Sequence, residues 1–406
     1  MLRIAFCCLE WEPVAGGGIR TYVENVTRFL TALGHESHVI TYAHKGAGPD
    51  RERPGVRLHR VRLTWLQKQV YRAALLFGLG DIVFRTFYSL QVARKIRKLA
   101  TSGAIDVVES PDYAAEGLAL TWLQRHFRSW RLLPHVVMLH TPTFVLNEIN
   151  GRRFRPIGWV HEKIENWNIR HAPHLSAPSR ALARRVRDGL GVTTPIHHDP
   201  YPFSLDTDPA TAPPMVPPDA TTLLYVGRME YRKGVTFLID ALNTLCARHP
   251  GLRAELIGGD TTTAPGGGSM RRHLQRRLAS GLLDRVRFVD RMPRPELLAR
   301  YRTAAFCVFP SVFENFANTC LEAVASGRVV VVPRDSGMAE IVQEGVTGFL
   351  FENASVADLV RAIELCLAQR NRWHAMGRAG QDSLARELEP MRLVTAKLEH
   401  YATLRA

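Results

Sequence analysis

Two glutamates, Glu314 and Glu322, stand eight positions apart in the segment FPSVFENFANTCLEAVASG. The residues before them, Ala305 to Phe309, are apolar, β-prone and closed by Pro310, which reads as a short buried strand. The residues after, Thr319 to Ser326, read as a helix that Asn318 caps and Gly327 ends. Glu314 therefore falls on a strand-to-helix turn and Glu322 inside the helix that follows. A helix N-terminus at the carboxyl end of a parallel strand offers free N–H groups to an anion. Ionised carboxylates beside such a site accept strong hydrogen bonds from hydroxyls. The pattern points to a phosphorylated sugar or a nucleotide.

A second cluster lies upstream, in YVGRMEYRKG. Arg228 follows a strand and Lys233 precedes a helix, so both can reach one opening and neutralise a diphosphate, Arg as a fork and Lys as a point charge. One basic pair on a loop is usually only solvated; the glutamate pair nearby in the same repeat of strand and helix gives this one its weight. Near the N-terminus, Gly16, Gly17 and Gly18 occupy a turn between a strand (Arg3 to Cys8) and a helix (Ile19 to Leu33). Glycines there allow close backbone approach to a ligand. The dinucleotide fingerprint G-x-G-x-x-G is not met, because Arg20 to Tyr22 supplies no third glycine.

These residues need a scaffold, and the chain alternates strand and helix almost throughout. Strands are expected at Ser37 to Tyr42, Val56 to Leu63, Asp106 to Ser110, Val136 to His140 and Leu175 to Pro178, with helices such as Ile82 to Leu99 and Ser179 to Leu190 between them. Such alternation implies a parallel sheet covered on both faces. Seven prolines between Asp199 and Asp219 break the pattern and read as a semi-rigid hinge. A second alternation starts at Thr222, and its Gly-rich segment Thr261 to Ser269 reads as a mobile loop. The expected organisation is α/β: two doubly wound, Rossmann-like domains at 1–198 and 222–385, the hinge at 199–221, and a closing helix at 386–406 that crosses back to the first domain. A cleft between the two domains is the expected site.

The net charge of +15 suits phosphate ligands or an anionic surface, although only seven of the 53 basic residues are lysine. No nucleic-acid module accompanies it, so nucleic acid is not an expected partner. Six cysteines show no metal-ligand spacing and fit buried thiols in a reducing cytoplasm. The histidines His171, His174, His197 and His198 read as ordinary loop residues, and no metal site is expected. The N-terminus resembles no signal peptide and no stretch is long and apolar enough to span a bilayer. The segment 84–99 places Phe87, Leu90, Ala93, Ile96 and Leu99 near one face, with Arg94, Lys95, Arg97 and Lys98 elsewhere. A basic amphipathic helix of this kind can pack on a core or lie on anionic lipid, which adds peripheral attachment at the inner membrane face as an expectation.

Taken in order, GGGIRTYVENVTRFLTALGHESHVITY, YVGRMEYRKG, ENFANTCLE and DSGMAEIVQEGVTGFLF resemble the motifs of the family-four retaining glycosyltransferases of GT-B fold, over nearly the whole chain. The resemblance implies transfer of a sugar from a UDP- or GDP-sugar to a hydroxyl, with retention, without metal or cofactor, the nucleotide sugar being a substrate. It implies that Arg228 and Lys233 hold the diphosphate, Glu314 the transferred sugar and Glu322 the ribose. Residues Asn315, Phe316, Ala317 and Asn318 would meet sugar and phosphate oxygens, Gly16–Gly18 would close over the phosphates, and His140 would line the reaction centre. Glu109, Asp112 and Thr141 are the expected acceptor contacts. The acceptor implied is a glycan, lipid-linked in a cell-envelope or polysaccharide precursor; a soluble small molecule or natural product is the alternative, and a sugar-nucleotide epimerase or a phosphorylase a more distant one. The family's Glu-Gly-Phe-Gly is Glu314-Asn315-Phe316-Ala317 here, which puts the local backbone and the sugar preference in question.

Overall fold

The structure, a computed structural model, describes residues 1–11, 17–44, 54–149, 156–204 and 221–405. Gly16 and all of the proline-rich connector except its ends lie outside the described residues. The chain divides into two compact units, Met1–Phe203 with Pro390–Ala406, and Ser204–Glu389.

Unit 1 is a parallel sheet of β1 (Arg3–Cys7), β2 (Glu36–Tyr42), β3 (Val56–Val61), β4 (Val107–Pro111), β5 (His135–Met138), β6 (His174–Ala177) and β7 (Ile196–His198), in the order β3-β2-β1-β4-β5-β6-β7. Helices α1 (Gly18–Ala32), α2 (Trp65–Leu76), α3 (Gly80–Thr101), α4 (Leu118–His126), α5 (Thr143–Ile149), α6 (Pro156–His171) and α7 (Arg180–Leu190) connect them. Side chains alternate along β1, so Ile4 and Phe6 join one core while Ala5 and Cys7 join the core on the opposite face. Burial of each large side chain there contributes roughly 1.5–3 kcal/mol.

Unit 1 differs from expectation in several places, one being that His197 and His198, expected in a loop, form β7 beside β6. Helix α2 was not anticipated, and α3 extends two residues beyond the expected span at each end. On α3, three members of the expected apolar stripe, Ala93, Ile96 and Leu99, are buried in the core with Tyr88 and Val92. Only Phe87 and Leu90 keep part of their surface. The stripe therefore packs chiefly on the sheet.

Unit 2 carries β8 (Thr222–Val226), β9 (Arg253–Ile257), β10 (Val286–Val289), β11 (Phe306–Val308), β12 (Val330–Pro333) and β13 (Gly348–Phe351), all parallel, in the order β10-β9-β8-β11-β12-β13. Its helices are α8 (Val235–Arg248), α9 (Met270–Arg277), α10 (Arg294–Thr303), α11 (Asn318–Ala325), α12 (Val356–Ala368) and α13 (Trp373–Glu387). Helix α14 (Pro390–Thr403) belongs to unit 1, where Val394, Leu398 and Tyr401 pack beside residues of α1. The Thr261–Ser269 loop is hydrogen-bonded at both ends. The Thr261 hydroxyl donates to the Met229 carbonyl at 2.6 Å, and Ser269 donates to Asp260 at 2.5 Å.

Candidate functional site

In each unit the strand order reverses once, between β1 and β4 and between β8 and β11. Loops leaving such a pair at their carboxyl ends diverge to opposite faces and leave a crevice where ligands bind. These loops carry Gly17, Asp112, Arg228, Lys233 and Glu314, whereas His140 and Thr141 follow β5, Glu109 lies in β4 and Glu322 on α11.

In unit 2, the loop after β8 holds Arg228, Glu230, Arg232 and Lys233, and the loop after β11 holds Glu314. Gly234 joins them, with a φ of +68° and with a hypothetical Cβ only 1.6 Å from the Pro310 carbonyl oxygen. No side chain fits there, so the basic turn can seat itself directly on the backbone that leads to Glu314. Three further bonds fix that backbone: Val312 N–H to the Arg232 carbonyl at 3.0 Å, Asn353 to the Val312 carbonyl at 2.9 Å, and Gly337 N–H to the Glu314 carbonyl at 3.0 Å.

The result is a compact charge cluster. Glu314, nearly buried, is ion-paired with Lys233, and Arg232 stands 3.6 Å from the same carboxylate oxygen. Arg228 and Arg232 share Glu230, at 3.1 and 3.0 Å. Burial alone would raise the Glu314 pKa, but Lys233, Arg232 and Arg228 together hold it below the usual carboxylate range. Glu314 is thus an ionised acceptor with cations on one side. Arg232 was passed over in the sequence, although it sits in the same YRKG run and bridges both glutamates.

Glu322 lies on α11, where Arg294 of α10 binds it at 3.0 Å. Burial raises its pKa despite that arginine, the reverse of Glu314. Helix α11 begins one residue before the expected start: Ala317, not Asn318, is the capping residue, and it makes no side-chain cap. The first N–H groups of a helix lack intrahelical partners. Those of α11 therefore stand at the end of the Glu314 loop, with Asn315 and Ala317 buried and Phe316 half-buried. Ala317 has φ −87° and ψ 106°, ordinary extended backbone, so the alanine in place of the family's glycine imposes no strain.

In unit 1, Gly17 precedes α1 and donates its N–H to Glu10 at 2.8 Å, while the space around Gly18 is open to a further atom. His140 follows β5. Its N–H donates to Asp112 at 2.8 Å, its ring nitrogen meets the Tyr201 hydroxyl, and Tyr22 packs edge-on at 5.2 Å. Burial lowers the His140 pKa to about 4, so the ring is neutral at physiological pH. Thr141 is half-buried beside it.

The two carboxylates expected to contact the acceptor, Glu109 and Asp112, are both buried. Glu109 is buried, and its carboxylate is bound by Lys397 at 2.6 Å and by Tyr401, both from α14. Lys397 also binds Asp199. Asp112 is fully buried, and burial first, then Glu165, raises its pKa to about 8; one of its oxygens is left without a partner. Glu109 ties β4 to α14, and Asp112 holds the backbone of His140 after β5.

Next to Asp112, Ala114 and Ala115 adopt left-handed backbone at φ +64° and +47°. For alanine this costs on the order of 1–3 kcal/mol each, tolerated where neighbours over-determine the geometry. Glu165 supplies that restraint by accepting from the N–H groups of Ala114 and Thr143 at 3.0 and 2.9 Å. Glu116 accepts from Leu9 N–H at 3.0 Å and fixes the loop after β1. Among the described residues there is no cluster of three or more metal-ligating side chains.

Comparison with known proteins agrees with this layout. Residues 17–198 match the family described as Glycosyl transferase 4-like domain, and residues 211–383 match Glycosyl transferases group 1. A glycogen synthase of Mycobacterium tuberculosis is 26% identical over 98% of this chain and 94% of its own. A D-inositol 3-phosphate glycosyltransferase of Geodermatophilus obscurus is 30% identical over 88% and 80%. In structure, sucrose-phosphate synthase of Thermosynechococcus elongatus superposes with a TM-score of 0.75 at 21% identity, covering 100% of this chain and 99% of that one. Anabaena HepE, solved with UDP-glucose, gives 0.66 at 17% with complete coverage of both. The chain belongs to the family-four glycosyltransferases of GT-B fold.

Proposed function

We propose that this glycosyltransferase takes a sugar from a UDP- or GDP-sugar and transfers it, with retention and without a metal, to a hydroxyl of a glycan. The observation that carries the reading is the ionised Glu314 held against Lys233 and Arg232 at the reversal point of unit 2, with Arg228 on the same loop. Cations on one side of the carboxylate suit a diphosphate; the carboxylate itself suits sugar hydroxyls. Glu322 on the following helix is offered to the ribose, and the uridine sugar bound by HepE makes a uracil nucleotide the first to test.

In the reaction, the bond between the anomeric carbon and the diphosphate oxygen breaks, and the acceptor oxygen bonds the same face. The acceptor's proton passes to the leaving phosphate oxygen. Lys233 and Arg228 stabilise the charge that develops there. His140, neutral at this pH, serves as a hydrogen-bonding group and not as an acid. Glu314 and Glu322 come from one strand–loop–helix segment and grip hydroxyls; they do not form the acid–base pair of a glycoside hydrolase. The acceptor side is assigned to unit 1, around His140 and Thr141. A lipid-linked envelope or polysaccharide precursor is the favoured acceptor. One relative is named a D-inositol 3-phosphate glycosyltransferase, which keeps a small-molecule acceptor as the second reading.

Incubation with a panel of UDP-, GDP- and ADP-sugars and proton NMR of the product tests this. A product whose anomeric configuration equals that of the donor supports the reading; inversion, or no turnover and no nucleotide binding across the panel, overturns it.

A further inference from the structure

Large apolar side chains are concentrated on the outside of one hairpin of unit 1. Between positions 65 and 79, seven of them are exposed, among them Trp65 at 74%, Leu76 at 84% and Phe77 at 77%. Soluble monomers seldom leave contiguous apolar surface of this kind without a use. The hairpin is not a loosely attached helix. Thr64 and Gln67 form a reciprocal capping box at the start of α2. Gln91 of α3 donates to Gln67 at 2.7 Å, and Phe84 of α3 packs against Tyr71 and Tyr42 at 5.9 and 5.0 Å. One side of α2 is thus anchored by polar bonds and rings, and the opposite side is displayed.

The apolar surface continues past the hairpin. A Cβ on Gly78 would lie 3.6 Å from Ile157, itself exposed at the start of α6. Beyond it, α3, α4 and α6 border a groove of about 530 Å³ whose walls include Phe87, Leu90, Trp122, Trp159 and Trp167. The charges on α2 itself are all positive. No acidic residue occurs between positions 54 and 80, whereas Lys68 and Arg72 are exposed on α2 itself. The nearest acid, Asp81, is bound by Arg85 at 3.0 Å and His161 at 3.1 Å.

The geometry points to docking of unit 1 on an anionic lipid bilayer through the α2–α3 hairpin, with Trp65, Leu76 and Phe77 entering the interface and Lys68 and Arg72 meeting lipid phosphates. Charge complementarity selects this occupant. A second copy would bring the same cations face to face, whereas a bilayer accepts apolar and cationic groups together. Aromatic rings at the edge of an apolar patch suit the headgroup boundary. This re-sites the membrane contact from the 84–99 stripe, largely buried, to residues 65–79. The hairpin also starts at the carboxyl edge of β3, the sheet edge from which the loops of Gly17, Asp112 and His140 emerge. An acceptor carried in the bilayer would reach that edge; this last point rests on the proposed transferase function, the docking does not.

Cosedimentation of the full chain with phosphatidylcholine vesicles, and with vesicles in which about one third of the lipid is phosphatidylglycerol, tests the inference in the absence of donor or acceptor. The protein is expected to pellet with the anionic vesicles. The exposed double substitutions Leu76→Glu/Phe77→Glu and Lys68→Glu/Arg72→Glu should each reduce binding roughly tenfold or more, with an unchanged circular dichroism spectrum and melting temperature as the check on folding. Failure to pellet with anionic vesicles overturns the docking, as does equal binding by wild type and both variants. A wild-type dimer that binds no vesicles and that Leu76→Glu/Phe77→Glu converts to a monomer would also overturn it. Loss of UDP binding in all forms counts against the donor site and leaves the vesicle result standing.

Discussion

Gly234 and the Pro310 carbonyl approach so closely that a methyl group on the glycine would stand 1.6 Å from the oxygen. This contact holds the loop of Lys233 against the loop of Glu314. Gly234→Ala must therefore both strain a left-handed φ and push the two loops apart. We expect a lower melting temperature by several degrees, given about 2–4 °C per kcal/mol in a domain of this size. UDP affinity should fall with it. Calorimetric melting and titration together check this, and an unaltered melting temperature would contradict the packing described.

Glu314→Gln keeps the shape of the side chain and removes its charge. Transfer should drop by roughly 10²–10³-fold, while the melting temperature stays within a few degrees. Initial rates with saturating donor provide the measurement; an active Glu314→Gln enzyme would remove Glu314 from the reaction.

The Arg228 side chain is largely exposed and is ion-paired with Glu230, so its loss should leave the fold intact. A lost charge-assisted bond corresponds to about 1.5–3 kcal/mol, or roughly ten- to a hundredfold in UDP affinity. Arg228→Ala and Lys233→Ala titrated against UDP and against uridine distinguish a diphosphate contact from a general one: only UDP binding should weaken.

Lys397→Met leaves Glu109 and Asp199 buried without their cation. Breaking a buried ion pair on one side costs about 3–5 kcal/mol, and unit 1 should melt at a clearly lower temperature. Adding Glu109→Gln to Lys397→Met should recover part of the loss, because one of the two stranded charges is removed. A double variant no more stable than the single would argue against a shared network.

Glu116 provides a pH test. Burial raises its pKa to about 8, above its ordinary value of 4.5. A carboxyl with a raised folded-state pKa contributes stability that is fully present below pH 4.5 and is lost as pH rises through 8. Glu116→Gln removes that dependence. Its melting temperature relative to wild type should therefore increase steadily from pH 5 to pH 8, and a constant difference would contradict the assignment.

The two parallel sheets and the Glu314–Lys233–Arg228 cluster were legible because they depend on local pattern: strand, turn, charged side chain, helix. What escaped depends on partners far apart in the chain. Glu109 in ESPDY reads as an acceptor contact until Lys397, 288 positions later, takes its carboxylate. Arg294 and Asn353 acquire their roles only when α10 comes alongside α11 and the segment after β13 comes alongside the Glu314 loop. Helix α2 had a readable sign, since Thr64-x-x-Gln67 is a capping-box pattern. It was missed because its apolar residues face outward and do not form the inward stripe by which helices are recognised.

The placement of α14 also bears on synthesis. Unit 2 is contiguous, and it can fold once residue 389 is free of the ribosome. Unit 1 lies upstream of unit 2 yet cannot be completed until Lys397 arrives between Glu109 and Asp199. Glu109 thus waits 288 positions, and Asp199 198, for the cation that neutralises them, with all of unit 2 translated in between.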